Sequence, residues 1–159
     1  MFRSKYAEAY FNHMVRKKRL PGRDNLGSKV IAISRGTYIG QGRLARFRAL
    51  WADGISTDCY TPHASKLRYN DLAGADAVFG VYEEEIKPQL FYEPSTVVPR
   101  KVRGSWAPMD ATEVEYWRCP NLVGTGDCLD GGEVDDPREI TGIIEYNVEL
   151  LVDNIENYI

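Results

Sequence analysis

Gly40-Gln41-Gly42-Arg43-Leu44-Ala45 has the G-x-G-x-x-A spacing of a dinucleotide cradle, in which glycines permit a tight turn and let a pyrophosphate approach a helix N-terminus. Its surroundings argue against that chemistry. The apolar run that should lead straight into the first glycine is broken early by Arg35 and Gly36. Asp58, near the offset at which a carboxylate would meet a ribose, sits in a polar stretch. The glycines are therefore read as shaping a hairpin. Cys59-x3-His63 and Cys119-x8-Cys128 supply the sulfur and imidazole ligands of a structural zinc site, but the second pair lacks the tight spacing of a zinc knuckle. Three cysteines are an odd number in a chain too long to need a disulfide scaffold, so free buried thiols are expected and no metal is assigned. The acids Asp127, Asp130, Glu133, Asp135 and Asp136 offer oxygen ligands, yet Gly131 and Gly132 interrupt the spacing a calcium loop needs. A solvated acidic loop is the expectation. No nucleophile elbow, phosphate-binding P-loop or H-E-x-x-H motif is present, and acid–base work would have to rest on carboxylates beside only His13 and His63. No catalytic residue and no cofactor is assigned, and the chain is expected not to be an enzyme.

The elements that must position these groups are unevenly charged. The chain has 159 residues and a formal net charge of −3, but its first 50 residues carry twelve Lys and Arg against only Glu8 and Asp24. The remainder carries eight against 21 acids. Such a split suits a polyanion-binding surface, or two complementary faces of a subunit that meets its neighbour head to tail, unless folding mixes the charges. The basic pole comprises Arg16, Lys17, Lys18, Arg19, Arg35, Arg43, Arg46 and Arg48. The acidic pole is the loop just described.

Residues 4–19 read as an amphipathic helix, with Ser4 as N-cap, apolar residues at helical spacing and cations where the macrodipole favours them, ended by Leu20-Pro21-Gly22. Residues 29–34 read as a strand buried on both faces. Residues 43–51 fit both periods: strand alternation sets Ala45, Phe47, Ala49 and Trp51 against arginines, whereas helical spacing groups Leu44, Phe47, Leu50 and Trp51. The adjoining Thr37-Tyr38-Ile39 and glycines lean the choice to a strand. A short strand over 55–60, a short helix over 61–72 starting at Thr61-Pro62, and a strand over 75–82 with an antiparallel partner at 87–93 come next. Residues 112–118 alternate, 119–137 form a long loop, and Ile144, Tyr146, Val148, Leu150 and Val152 alternate with polar residues as in a long, half-buried antiparallel strand.

Ser56-Thr57-Asp58, Ala64-Ser65-Lys66, Leu72, Ala77 to Tyr82 and Gln89-Leu90 resemble the middle of the FMN-binding split barrels related to pyridoxamine phosphate oxidase. The resemblance covers about 35 residues, departs in the spacing on both sides of Ser65, and lacks the proline that usually follows the short helix. It implies a flavoprotein in which Ser65 and Lys66 hold the FMN phosphate, helped by Arg46 or Arg48.

These readings give an α+β chain of one domain, mainly antiparallel β in a small barrel or sandwich-like sheet, with an N-terminal helix over 1–22 that packs on or projects from a β-rich domain over 23–159, and one short internal helix. The favoured function is a non-catalytic subunit of a symmetric assembly, a virion component of the head–tail connector or tail-completion type. Its partners would be copies of itself and neighbouring subunits, with nucleic acid nearby and no membrane. Ten tyrosines and three tryptophans would supply contact area. The alternatives are the split-barrel flavoprotein and a nucleic-acid-binding module using the basic half. No N-terminal signal peptide is read, and a virion or cytoplasmic location is expected.

Overall fold

The computed structural model describes residues 2–18, 30–36, 50, 53–61, 63, 65–68, 71, 75–80, 98–102, 105–109, 115–117, 119, 121–122 and 133–155. Two helices dominate. Helix α1 spans Phe2–Lys17 and α2 spans Pro137–Asp153. They pack side by side and run in the same direction, since Tyr6 meets Glu145, Tyr10 meets Glu149 and Lys18 meets Val152 and Asp153 in order.

α1 forms where the sequence places a helix, but it begins two residues earlier and ends at Lys17, so Ser4 lies within its first turn and is not its N-cap. Arg16 and Lys17 occupy its last turn, where the carbonyl end of the helix dipole favours cations. Every residue from Lys5 to Ala9 is buried, so this part of the helix lies in the core with neighbours on all sides, while Arg16 and Lys17 at its end are exposed. Tyr6, Ala9, Phe11 and Val15 pack with Ile140, Ile144, Val148, Val152 and Ile155 from α2 and its C-terminal end, and with Leu50, Ile55, Cys59, Tyr60 and Cys119.

α2 overturns the long C-terminal strand. Its buried residues, Ile140, Thr141, Ile144, Val148, Leu151 and Val152, recur at three- and four-residue intervals, as one face of a helix requires. The alternation arose because Tyr146 and Leu150, also apolar, stand on the outward side. The decisive local signal is Asp136-Pro137-Arg138-Glu139. Asp136 Oδ1 accepts the backbone N–H of Arg138 at 2.9 Å, Pro137 takes the first turn where no N–H is needed, and Glu139 lies near the positive end of the dipole. Asn154 closes the helix, donating its backbone N–H and its Nδ2 to the Leu150 carbonyl at 3.1 and 2.8 Å.

The expected antiparallel barrel or sandwich is also overturned. The described strands are short and paired only in twos: β1 (Phe79–Gly80) with β4 (Glu115–Tyr116), β2 (Val98–Val102) with β3 (Ser105–Met109), and β5 (Asn121–Leu122) with β6 (Glu133–Val134). β2 and β3 form an antiparallel hairpin in which Val98 faces Met109 and Val102 faces Ser105. The other two pairs are parallel, and a parallel bridge joins Gly36 to Lys66. Parallel pairing requires crossovers rather than hairpins, and here long connections separate the partners.

Other expectations shift locally. Residues 55–60 do not form a strand: Thr57–Cys59 make a 3₁₀ turn capped by Ser56, whose Oγ accepts from Asp58 N at 3.3 Å. The described part of 61–68 is not helical, and Asp71 belongs to a helical turn. Residues 30–34 are not buried on both faces, because Ile31 and Ile33 are exposed while Ser34 is buried. Of 43–51 only Leu50 is described, helical and buried; the rest of that segment and the 87–93 strand lie outside the described residues. The single positive-φ glycine among the described residues is Gly54, at φ 64°, in the turn that returns the chain to Ile55.

Candidate functional site

Helical spacing builds the site from two pairs. Tyr6 and Tyr10 stand one turn apart on α1, and Glu145 and Glu149 one turn apart on α2, so parallel packing sets tyrosine against glutamate twice. The Tyr6 hydroxyl lies 2.5 Å from both Glu145 Oε1 and Asp53 Oδ2, and the Tyr10 hydroxyl donates to Glu149 Oε1 at 2.8 Å. The two phenol rings stack with centroids 6.1 Å apart and planes 8° from parallel. A phenol owns one proton, so at any moment Tyr6 serves one of its two carboxylates and the oxygens compete for it. Burial holds the Tyr6 phenol well above the ordinary tyrosine range, and hydrogen bonding to Asp53 and then Glu145 adds to the effect. Tyr10 is raised for the same reasons, burial first and the Glu149 hydrogen bond second.

Beside this row opens a cleft of about 290 Å³ lined by Tyr10, His13, Met14, Lys17, Asp53 and Glu145. Carboxylates stand on one side and an imidazole and an ammonium on the other. His13 is pushed below its ordinary value, chiefly by burial and further by the positive charges of Lys17 and Arg16. The arrangement can hold hydrogen-bond donors at its acidic wall. Among the described residues no cluster of three or more His, Cys, Asp or Glu side chains is arranged to hold a metal ion.

The opposite side of α1 is a closed polar network. Lys5 and Glu8, with side chains 1% and 2% exposed, pair at 2.7 Å, and Lys5 also donates to Thr61 Oγ1. Glu8 accepts from Ser34 Oγ at 2.6 Å, from Thr61 N at 2.9 Å and from Thr61 Oγ1 at 3.0 Å. Asn12 adds three bonds: its Nδ2 donates to the carbonyls of Ala32 and Cys59, and its Oδ1 accepts the Ala32 N–H. Arg3 Nη1 donates to the Cys119 carbonyl at 2.6 Å. These bonds tie segments 32–34, 59–61 and 119 to one helix.

The residues singled out from the sequence are dispersed. Arg16 donates to the Asp58 carbonyl at 2.8 Å. Lys18 pairs with Asp153 at 3.0 Å and donates to the Val152 carbonyl, and Arg35 pairs with Asp71 at 2.9 Å. Lys17 is exposed at the rim of the cleft. Of the acidic loop, Glu133 lies in β6, Asp135 is exposed and Asp136 caps α2. Arg19, Arg43, Arg46, Arg48, Asp127, Asp130, Cys128 and the whole Gly40–Ala45 motif lie outside the described residues. Cys59 is a free, buried thiol, Cys119 is buried, and His63 is exposed. Ser65 and Lys66, the FMN phosphate contacts of the split-barrel resemblance, are exposed beside the Gly36 bridge, without a barrel around them among the described residues. The tyrosine–carboxylate row was missed by sequence reasoning. Its signal was the matching spacing of Tyr6 with Tyr10 and Glu145 with Glu149, visible only once α2 is read as a helix.

No known family model matches the sequence, and no curated protein is similar to it in sequence. The structure is similar to the crystal structure of YfkJ from Bacillus subtilis, with a TM-score of 0.62 and 22% identity over 98% of this chain and 87% of that one. At that identity the likeness is one of fold.

Proposed function

We propose that the protein is a non-catalytic subunit of a larger assembly, with a virion connector as the setting the sequence favours. The observation that carries this reading is an apolar stripe on the outward side of α2. Tyr146 and Leu150, one turn apart, are 64% and 46% exposed, and Gly142 one turn earlier leaves open space above the backbone. Exposed aromatic and aliphatic groups on a rigid helix, preceded by a small residue, suit close approach of a second surface. Glu139, Glu149 and Asp153 of α2 are exposed, the last two beside their contacts with Tyr10 and Lys18, against Arg138 alone, so a basic surface is a natural complement. Lys17, Lys66 and Arg68 are exposed cations that a neighbouring copy would present. The phenols of the cleft are already committed to the carboxylates beside them, which favours a structural role for that row over a catalytic one. No helix among the described residues is long and apolar enough to cross a membrane.

Light scattering tests the reading. The chain should show a mass above the monomer at high concentration and low salt, and Tyr146→Glu with Leu150→Glu should return it to monomer. A wild-type chain that stays monomeric with no added partner under those conditions counts against self-assembly through this stripe.

A further inference from the structure

The cleft beside the tyrosine–carboxylate row has two chemically different ends. Tyr10, His13, Met14 and Lys17 recur at three- and four-residue intervals, so they share one face of α1, and the helical rise sets Lys17 about 10 Å along the axis from Tyr10. The acidic end lies where the Tyr6 hydroxyl reaches. Asp53 Oδ2 and Glu145 Oε1 both stand 2.5 Å from that hydroxyl, so two carboxylates are held side by side with one phenol proton between them. The second oxygen of each, Asp53 Oδ1 and Glu145 Oε2, receives no hydrogen bond among the described residues. At the other end, the Lys17 ammonium and the His13 ring have neither a hydrogen bond nor an ion pair among the described residues. Burial first, and the charges of Lys17 and Arg16 next, keep His13 neutral at neutral pH, so it adds an N–H donor but no charge. The lining therefore carries two negative charges and one positive, with Met14 between the two ends.

We propose that this cleft binds a free basic amino acid, with the side-chain cation on Asp53 and Glu145 and the α-carboxylate on Lys17 and His13. Such binding goes beyond assembly and needs no neighbouring chain. A guanidinium or ammonium supplies the N–H donors that the paired acids lack, and a planar guanidinium can meet both at once. The aliphatic stem covers Met14, and the α-ammonium stays in water at the open mouth. A plain cation would leave Lys17 and His13 without an acceptor. An amino acid with an apolar side chain would leave the carboxylates without a donor. A basic amino acid serves both ends, and its one excess positive charge balances the one excess negative charge of the lining. A volume of about 290 Å³ lies at the small end of ligand sites and suits a molecule of this size.

The full chain is titrated at constant ionic strength with L-arginine, with n-butylguanidinium, which keeps the net charge but lacks the carboxylate, with L-norleucine, which lacks the side-chain cation, and with Nα-acetyl-L-arginine, which stands for the C-terminal residue of a peptide. The ring protons of His13 and His63 are followed by NMR. L-Arginine should shift the His13 signals along a saturable curve in the millimolar range, as befits a small ligand in an open cleft, and leave His63, outside the cleft, in place. Each of the other three should bind about tenfold more weakly, the loss of one charge-assisted contact or of the charge balance. Lys17→Met should bring arginine down to the level of n-butylguanidinium, and Glu145→Gln should bring it toward that of norleucine, with the thermal midpoint of both variants near wild type. Absence of a saturable shift at His13, or an equal shift at His63, overturns the site. In the wild-type chain, n-butylguanidinium as tight as arginine overturns the carboxylate contact, norleucine as tight as arginine overturns the cation contact, and the acetylated form as tight as arginine overturns the free amino acid as the ligand.

Discussion

The two polar faces of α1 are built to opposite balances of donors and acceptors. Toward residues 32–34 and 59–61, the Glu8 carboxylate receives an ammonium, two hydroxyls and a backbone N–H, and Lys5, Glu8 and Ser34 are buried beneath the exposed Thr61. Toward α2, three carboxylates share two phenol protons beside an open cleft. A buried charge needs a complete set of partners, because each missing one carries its full desolvation cost. A partly solvated acid tolerates a deficit, because water completes its shell. The difference teaches that charge count alone does not separate structural from accessible groups, and the first face should be far more sensitive to substitution than the second.

Glu8→Ala should break the closed face most severely. It strands the Lys5 ammonium and leaves Ser34 and Thr61 without their acceptor, so a loss of about 3–5 kcal/mol is expected in urea unfolding. Glu8→Ala combined with Lys5→Met should cost less than the two single changes added together, since no unpaired charge remains. A Glu8→Ala loss no larger than that of a cleft variant would erase the distinction between the faces.

Tyr6→Phe comes next. It removes the one proton that Asp53 and Glu145 share, at about 1.5–3 kcal/mol for a hydrogen bond to a charged group. The pH dependence has a definite sign. Because the folded state holds the Tyr6 and Tyr10 protons above the ordinary value of 10.0, their contribution is fully present below that pH and is lost as pH rises past it. Thermal midpoints should therefore fall steeply at alkaline pH in wild type and less steeply in Tyr6→Phe. Parallel curves for the two proteins would show that the row does not govern the alkaline limb.

Glu145→Gln should have a smaller effect of unusual direction. An amide keeps an acceptor and brings N–H donors to a row short of them, so unfolding free energy should stay level or rise by up to about 1 kcal/mol. The matching change on the closed face, Glu8→Gln, should destabilise, because an amide cannot neutralise Lys5.

These contrasts mark what could be read from the sequence. α1 was legible because its apolar residues and its terminal cations agree, although its start at Phe2 puts Ser4 inside the helix and the Leu20-Pro21-Gly22 stop lies outside the described residues. α2 was not, because Tyr146 and Leu150 lie outside the core and complete a false two-residue period with Ile144, Val148 and Val152. Only the Asp136-Pro137 cap contradicted the strand. That one misreading removed Glu145 and Glu149 from the helix that pairs them with Tyr6 and Tyr10, and with them the candidate site. The charge split was real in sequence but is partly folded inward, since Lys18 meets Asp153 and Arg35 meets Asp71 within the chain. The Lys5–Glu8 pair was beyond sequence reasoning, because charges three residues apart on a helix usually face solvent.

The smallest expected effect belongs to His13, at the rim where the open face ends. Arg16 and Lys17 lie on its own helix, with Tyr10 and Met14 beside it in the cleft; Asp53 and Glu145 face it from the turn before Ile55 and from α2. Burial and the two cations outweigh the two acids and lower its proton affinity in the folded state. The unfolded chain then takes up the proton first, so the neutral imidazole contributes stability that is present above the ordinary value of 6.5 and lost as pH falls below it. Because His13 is only half-buried, the slope should be shallow. His13→Gln should flatten the midpoint curve on the acid side without changing the alkaline limb that Tyr6 controls. Lys17→Met should raise the His13 titration midpoint, followed by its ring proton signal in NMR. An unmoved midpoint in Lys17→Met would leave burial as the whole cause and make the cleft electrostatically quieter than its lining suggests.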